Sequence, residues 1–490
     1  MYLLVAFVYF GLGPRSTGFD FQLSQANNIL HGHLDLVPEH TRNITVLERV
    51  LFDGTGFCLP EDDPRGPERR ADFTDPRLKP DCRTYLQHAL GPAILLLPLV
   101  ALFGLALSQT LVCVLFGALA APLALSIARR FTTDRRTIAA LTALFAFGTT
   151  FWYSAADGGV WHFAHVTAVV FLLAAIRAAV VSGSPLATGA FIGMAYLCRP
   201  TTVLAGLFAL AWFADRWYVP GPGIAALRRI RPRPLVALAV GVLPFLLLGM
   251  LLNVLRFGSP FESGYNYTEQ LYQLSTAWRW PHGWFDVRYI PRHIAVAIGQ
   301  MPIVSPNPPF IWPSWAGLAL WVTTPAVLLI PFIHLRRAPR IAIPVALLLA
   351  CACAFLLARG VTSGLGAGAW AMPIAERGLE LLPFGLAYGL GLLAALVARD
   401  RLVLACWAAI LAIGLATWTF AATGWAQFGY RYALDVLPFL YLLIVRAVVP
   451  RARPAHLVLI GLGIIVNLWG VLWIFSFNAN RLFDLAWVGF

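Results

Sequence analysis

Asp20 stands in the run Ser16-Thr17-Gly18-Phe19-Asp20-Phe21-Gln22, directly after a short apolar segment. An acid at that rim meets both water and lipid headgroups; it can take a proton from an attacking hydroxyl, or serve as a helix cap or solvated loop acid. Residues 154–165 read SAADGGVWHFAH, which gathers Asp157, His162 and His165 beside a long apolar block. Ionisable groups at membrane depth are costly and tend to be functional. The three can line a polar site, hold a divalent ion or act structurally, and they lack the HExxH context that makes a metal site specific. Arg199, in Leu197-Cys198-Arg199-Pro200, is the only charge between Arg177 and Asp215. Its guanidinium suits a phosphate or carboxylate at the interface, or else snorkels to the headgroups. Arg431 and Asp435 lie one helical turn apart, a spacing that predicts a mutual pair, with Arg431 also able to reach a ligand phosphate. Glu376, Arg377 and Glu380 are spaced for another local ion pair.

The elements that must position these residues are apolar helices. Of 490 residues, 59% are hydrophobic and 12% charged, against about 45–50% and about 25% in soluble domains. The apolar residues come in blocks of roughly 17–25, the length that crosses a hydrocarbon layer. This fixes the class as an all-α polytopic membrane protein; a β-barrel would show short alternating segments instead. A net charge of +13 invites a nucleic-acid partner, but the basic residues are Arg clusters between apolar blocks, the positive-inside pattern. The clusters at 129–136, 216–233, 336–340, 399–401 and 446–453 are placed in the cytoplasm, and no nucleic acid is expected.

Every cluster must fall on the same side, so 89–128 reads as an interfacial helix (89–103) followed by one crossing (107–128). Further crossings are expected near 138–153, 163–181, 186–199, 201–214, 235–254, 316–333, 341–358, 376–398, 402–422, 432–449 and 455–475. With a shortened first helix over 2–13 the bundle has about 13 spans in a single domain, amino terminus inside. The outer side then collects 14–104, with interfacial helices, and a second large loop, 256–315, rich in Trp, Tyr and Pro. Those aromatics form an interface belt or a platform for sugar or lipid. Cys58 and Cys82 share the first outer loop and form a disulfide there or remain free thiols.

The order of several short motifs resembles the GT-C superfamily of glycosyltransferases, related to protein O-mannosyltransferases and the lipid A aminoarabinose transferase. The motifs are Asp20 past the first helix, Tyr85 to Pro98 entering an interfacial helix, Phe147-Gly148-Thr149 before the 154–165 loop, and Leu197 to Thr201. Asn253, Phe257 to Pro260, Ser263-Gly264-Tyr265 and Phe428 to Pro438 complete the series. The resemblance implies a GT-C-like bundle that transfers a sugar, with inversion, from a polyprenyl-phosphate donor to an acceptor hydroxyl. The acceptor would be a glycan, lipid or protein, and the site would face the periplasm or exterior from a bacterial inner membrane. It also implies Asp20 as base, Arg199 first and Arg431 second at the donor phosphate, and Asp157, His162, His165, Tyr265 and Asp435 lining the site. No cofactor is assigned, and a divalent cation is left open. Departures are Gly91-Pro92 where the mannosyltransferases carry Pro-Pro, and Asp157 only approximately in place of a second acid. The alternative is a transporter or flippase of a lipid-linked substrate, which would carry midplane charges and paired broken helices.

Overall fold

The computed structural model describes residues 1–42, 49–58, 81–218, 231–268, 282–304, 310–314, 316–335, 339–363, 374–424 and 427–477. α1 (Tyr2–Leu12) is apolar throughout, and its Tyr9 is fully buried, the hydroxyl donating to the Ala146 carbonyl at 2.6 Å. The chain turns through 13–20 into α2 (Phe21–Leu30), whose residues Phe21 to Asn28 are all buried although most are polar. Their side-chain amides bond to neighbouring loop backbone: Asn27 and Asn28 both reach the His40 carbonyl, and Gln25 reaches that of Leu34. A polar helix can be packed on all sides only when its amides find such partners.

β1 (Arg49–Phe52) and β2 (Arg83–Leu86) pair antiparallel, and the structure joins Cys58 to Cys82 between them. α3 (Gly91–Phe103) follows, and a Cβ on Gly91 would strike the Leu197 carbonyl, so glycine lets α3 dock against the end of the helix that carries Arg199. α4 (Gln109–Ala118) and α5 (Ala120–Phe131) together make one apolar span. α6 (Arg135–Phe147) and α7 (Phe151–Asp157) are bent by 50° at the Gly148-Thr149-Thr150 break. α8 (Val160–Arg177) lies at the centre of the bundle, with 78% of its span buried. α9 (Pro185–Cys198) stops at Arg199, which is extended (φ −145°, ψ 101°) because Pro200 disfavours helix in the residue before it.

Among the described residues seven helices are long and apolar enough to cross a membrane, or eight if the bent α6–α7 pair is one span. The protein is an all-α polytopic membrane protein, and one apolar core runs from Val5 to Ile474. The expected set of spans needs correction. The segment 316–333 is not one helix but short pieces at Leu320–Thr323, Pro325–Leu329 and Phe332–Leu335, broken at Pro325 and Pro331. Tyr2–Leu12, Pro185–Cys198, Pro200–Trp212 and Leu437–Val448 are apolar but shorter than full spans. Of the expected local pair near 376–380, the side chains of Glu376 and Arg377 lie outside the described residues, and Glu380 pairs with Arg359 on the preceding helix.

Candidate active site

Asp20 occupies the N-cap position of α2, at the end of the turn that leaves α1. Its side chain makes no capping bond, and its Oδ1 is buried without a hydrogen-bond partner. A buried carboxylate oxygen with no donor is costly unless the site supplies one in operation. The Asp20 turn is held in place by its neighbours: the Val160 N–H donates to the Phe19 carbonyl at 2.9 Å. The Phe19 ring lies 5.0 Å from that of Trp161.

Asp157 ends α7, where Gly158 turns left-handed (φ +70°) and starts the link to α8. A Cβ on Gly158 would come within 2.6 Å of the Thr110 backbone, so α7 and α4 can meet only through glycine. Asp157 Oδ1 accepts the Gly159 N–H at 2.8 Å and lies 4.0 Å from His162 Nε2. His162 Nδ1 is 3.1 Å from the Ser154 hydroxyl. His165, one turn further along α8, faces a different partner: its Nδ1–H donates to Asp435 Oδ1 at 2.8 Å. Asp157 and His162 therefore approach each other while His165 turns to Asp435, and the three side chains do not converge on one point. Among the described residues no group of three or more His, Cys, Asp or Glu side chains is placed to hold a metal.

Asp435 is fully buried and accepts from two sides. Besides His165, it takes Arg199 Nη2 at 2.8 Å and Arg199 Nε at 3.3 Å, across 236 positions of sequence. The expected Arg431–Asp435 pair is therefore replaced by Arg199–Asp435. Residues Arg431–Asp435 form a 3₁₀ turn, in which i and i+3 align and i+4 points elsewhere, so the spacing that pairs on an α-helix fails here. Arg199 is thus tied to a carboxylate through Nε and Nη2, while Arg431 has no carboxylate partner among the described residues and its Nε is buried without a hydrogen bond. Arg431 instead lies over aromatic faces, 5.9 Å from the Trp161 centroid and 5.5 Å from that of Tyr432. Arg199 lies 5.6 Å from the same Tyr432 ring. A continuous series of contacts therefore leads from Phe19 beside Asp20, through Trp161, Arg431 and Tyr432, to Arg199 and Asp435.

No family model and no curated protein matches this chain. Among solved structures it is similar to ArnT from Cupriavidus metallidurans bound to undecaprenyl phosphate, at 13% identity and a TM-score of 0.33. The match spans 96% of this chain and 76% of that one. An overlap of that size assigns no role to any residue.

The Tyr265 ring packs edge-on against Trp284, Phe285 and Phe420. This aromatic group continues to Tyr432, whose ring is 6.0 Å from Phe420, so it adjoins the Arg431 side of the site. His293, on the Ile290–Gly299 helix, is buried between Tyr430 and Phe420. Its Nε2 lies 2.7 Å from the Phe420 carbonyl and its Nδ1 2.6 Å from the Tyr430 hydroxyl. Those partners assign the Nε2–H tautomer, with Nδ1 accepting from Tyr430. Burial pushes the His293 imidazolium down to about 4, so the ring is neutral at physiological pH. Sequence reasoning passed over Trp161, Tyr432, His293 and Gln109. For Gln109 a signal existed: Ser108-Gln109-Thr110 is a polar interruption at the start of an apolar span.

Proposed function

We propose that this protein is an inverting glycosyltransferase that moves a sugar from a polyprenyl-phosphate donor to an acceptor hydroxyl at the periplasmic face of a bacterial inner membrane. The observation that carries the reading is the pairing of opposites. Asp20 presents a buried carboxylate oxygen without a donor, and across Phe19 and Trp161 stands Arg431, a guanidinium with no carboxylate partner among the described residues. A displacement at an anomeric carbon needs those two charges on opposite sides of the sugar.

In the proposed reaction the acceptor oxygen attacks the anomeric carbon as its proton passes to the Asp20 carboxylate. The bond from that carbon to the phosphate oxygen breaks, and both electrons leave with the phosphate, giving free polyprenyl phosphate and the glycosylated acceptor. One displacement inverts the anomeric centre, and a phosphate leaving group requires no protonation when a cation offsets its growing charge. Arg431 supplies that cation in this reading. Arg199, held by Asp435, which also accepts from His165, shapes the Tyr432 wall and adds positive potential from behind it. The rings of Tyr265, Trp284 and Phe420 offer apolar faces for a sugar or for the lipid chain.

The test is reconstitution of the purified protein in liposomes with labelled polyprenyl-phosphate-linked hexose and pentose donors and a membrane extract as acceptor. Release of free polyprenyl phosphate together with a glycosidic product of inverted configuration supports the reading. Movement of intact donor between leaflets with no release would replace it with the transporter reading.

A further inference from the structure

Asp20 holds the N-cap position of α2, yet its carboxylate caps nothing. An Asp in that position ordinarily accepts the N–H of the second or third helical residue, and the third here is Leu23. In this protein that N–H is shared between the Asp20 main-chain carbonyl at 3.1 Å and a distant amide: Gln109 Oε1 stands in the side-chain cap's place and accepts it at 3.1 Å, across 86 positions of sequence. The same amide donates through Nε2 to the Gly158 carbonyl at 2.8 Å and lies 3.5 Å from the Phe19 carbonyl. Gln109 is the first residue of α4 and is 2% exposed, so its side chain is enclosed by the elements it joins. Its acceptor is used on α2, and its donors are used on the residue before Asp20 and the residue after Asp157.

The consequence for Asp20 is physical. A free helix N-terminus would draw the Asp20 carboxylate onto Leu23 N–H and occupy one of its oxygens. With Gln109 there, that N–H is satisfied, and the Phe19 carbonyl is held by the Val160 N–H. Asp20 Oδ1 is left buried and unpartnered.

We propose that Gln109 is a positioning residue that caps α2 in place of Asp20 and thereby reserves the Asp20 carboxylate for the acceptor hydroxyl. The inference rests on the assignment of Asp20 as base, but its first test does not require activity. That test is a double-mutant cycle in thermal stability on the full-length protein in detergent. With Gln109 present, Asp20→Ala leaves the Tm within about 1 °C or raises it, since no cap is lost. With Gln109→Met, which keeps the volume and removes all three hydrogen bonds, Asp20 falls onto Leu23 N–H, and adding Asp20→Ala lowers the Tm by about 2 °C. Equal effects of Asp20→Ala in both backgrounds would overturn the proposal.

The second test is the same cycle in sugar transfer. Gln109→Met is expected to lower kcat about tenfold with the donor KM unchanged, and to cost nothing further in an Asp20→Asn background. Additive losses would also overturn it. Coupling in Tm without transfer by any variant would remove the base assignment and leave the capping role standing; loss of transfer in Asp20→Asn without coupling in Tm would do the reverse. Should Gln109→Met not be recovered folded, Gln109→Asn, too short to reach Leu23, carries both cycles.

Discussion

Two guanidinium groups approach the ring of Tyr432, and their surroundings differ. Arg199 is bonded through Nε and Nη2 to a fully buried carboxylate, whereas the Arg431 Nε is buried without a partner. Breaking a buried ion pair from one side leaves an uncompensated charge, at a cost of roughly 3–5 kcal/mol. Asp435→Ala should therefore lower thermal stability markedly, read as a fall in Tm, before any effect on substrate is considered. Arg431→Gln should leave the Tm nearly unchanged and raise the donor KM about tenfold or more, in line with loss of a charged hydrogen bond of about 1.5–3 kcal/mol. If Arg199→Gln raises the donor KM more than Arg431→Gln does at equal stability, the assignment of the two is reversed. Asp20 was recognisable in the sequence because an acid directly after an apolar segment is conspicuous by type and place. The partner of Asp435 was not: Arg431 is four residues away and Arg199 is 236, and only the 3₁₀ geometry of Arg431–Asp435 decides between them.

His293 adds a pH dependence at the same scale. Its folded value of about 4 lies below the ordinary 6.5, so the unfolded chain binds the extra proton first as pH falls. Stability from this group is complete above about 6.5 and is lost progressively from there down to about 4. A Tm that drops between pH 6.5 and 4.5, with a shallower slope in His293→Phe, is the expected result; identical slopes would place the pH dependence elsewhere.

At the scale of elements, the site depends on a few close approaches that glycine permits. Gly158 combines a left-handed backbone with a contact that a methyl group would bring to 2.6 Å of the Thr110 Cα. Gly158→Ala should cost at least the roughly 1–2 kcal/mol of left-handed strain, and more from displacing α4. Because Gln109 and Asp157 stand on the two displaced elements, transfer should fall further than stability alone accounts for, measured as kcat at a temperature where the variant is fully folded. Helix existence was readable from apolar block length along most of the chain. Helix continuity was not: 316–333 has the hydropathy of a span, and only the prolines at 325 and 331 show why it breaks. Gln109 was hidden for another reason, since a single amide in an apolar run is ambiguous until α2 and the Gly158 turn are seen on either side of it.

For the whole molecule, the Arg clusters and the site residues should lie at opposite ends of the bundle. Phe261 is 83% exposed in the loop expected outside, and Arg136 lies exposed at the start of α6. A membrane-impermeant maleimide applied to intact cells should label Phe261→Cys, and should label Arg136→Cys only after the membrane is opened; the reverse pattern would invert the topology. The apolar exterior followed from composition, and the charge pattern supplies the sidedness that this labelling tests. The reaction did not, because a bundle of this kind serves transport as readily as catalysis, and the choice rests on Asp20 and Arg431. The most direct measurement is sugar transfer from a polyprenyl-phosphate donor by purified Asp20→Asn protein of unchanged Tm. The account predicts a loss of about 10²–10⁴-fold in kcat with the donor KM retained; undiminished turnover would contradict it.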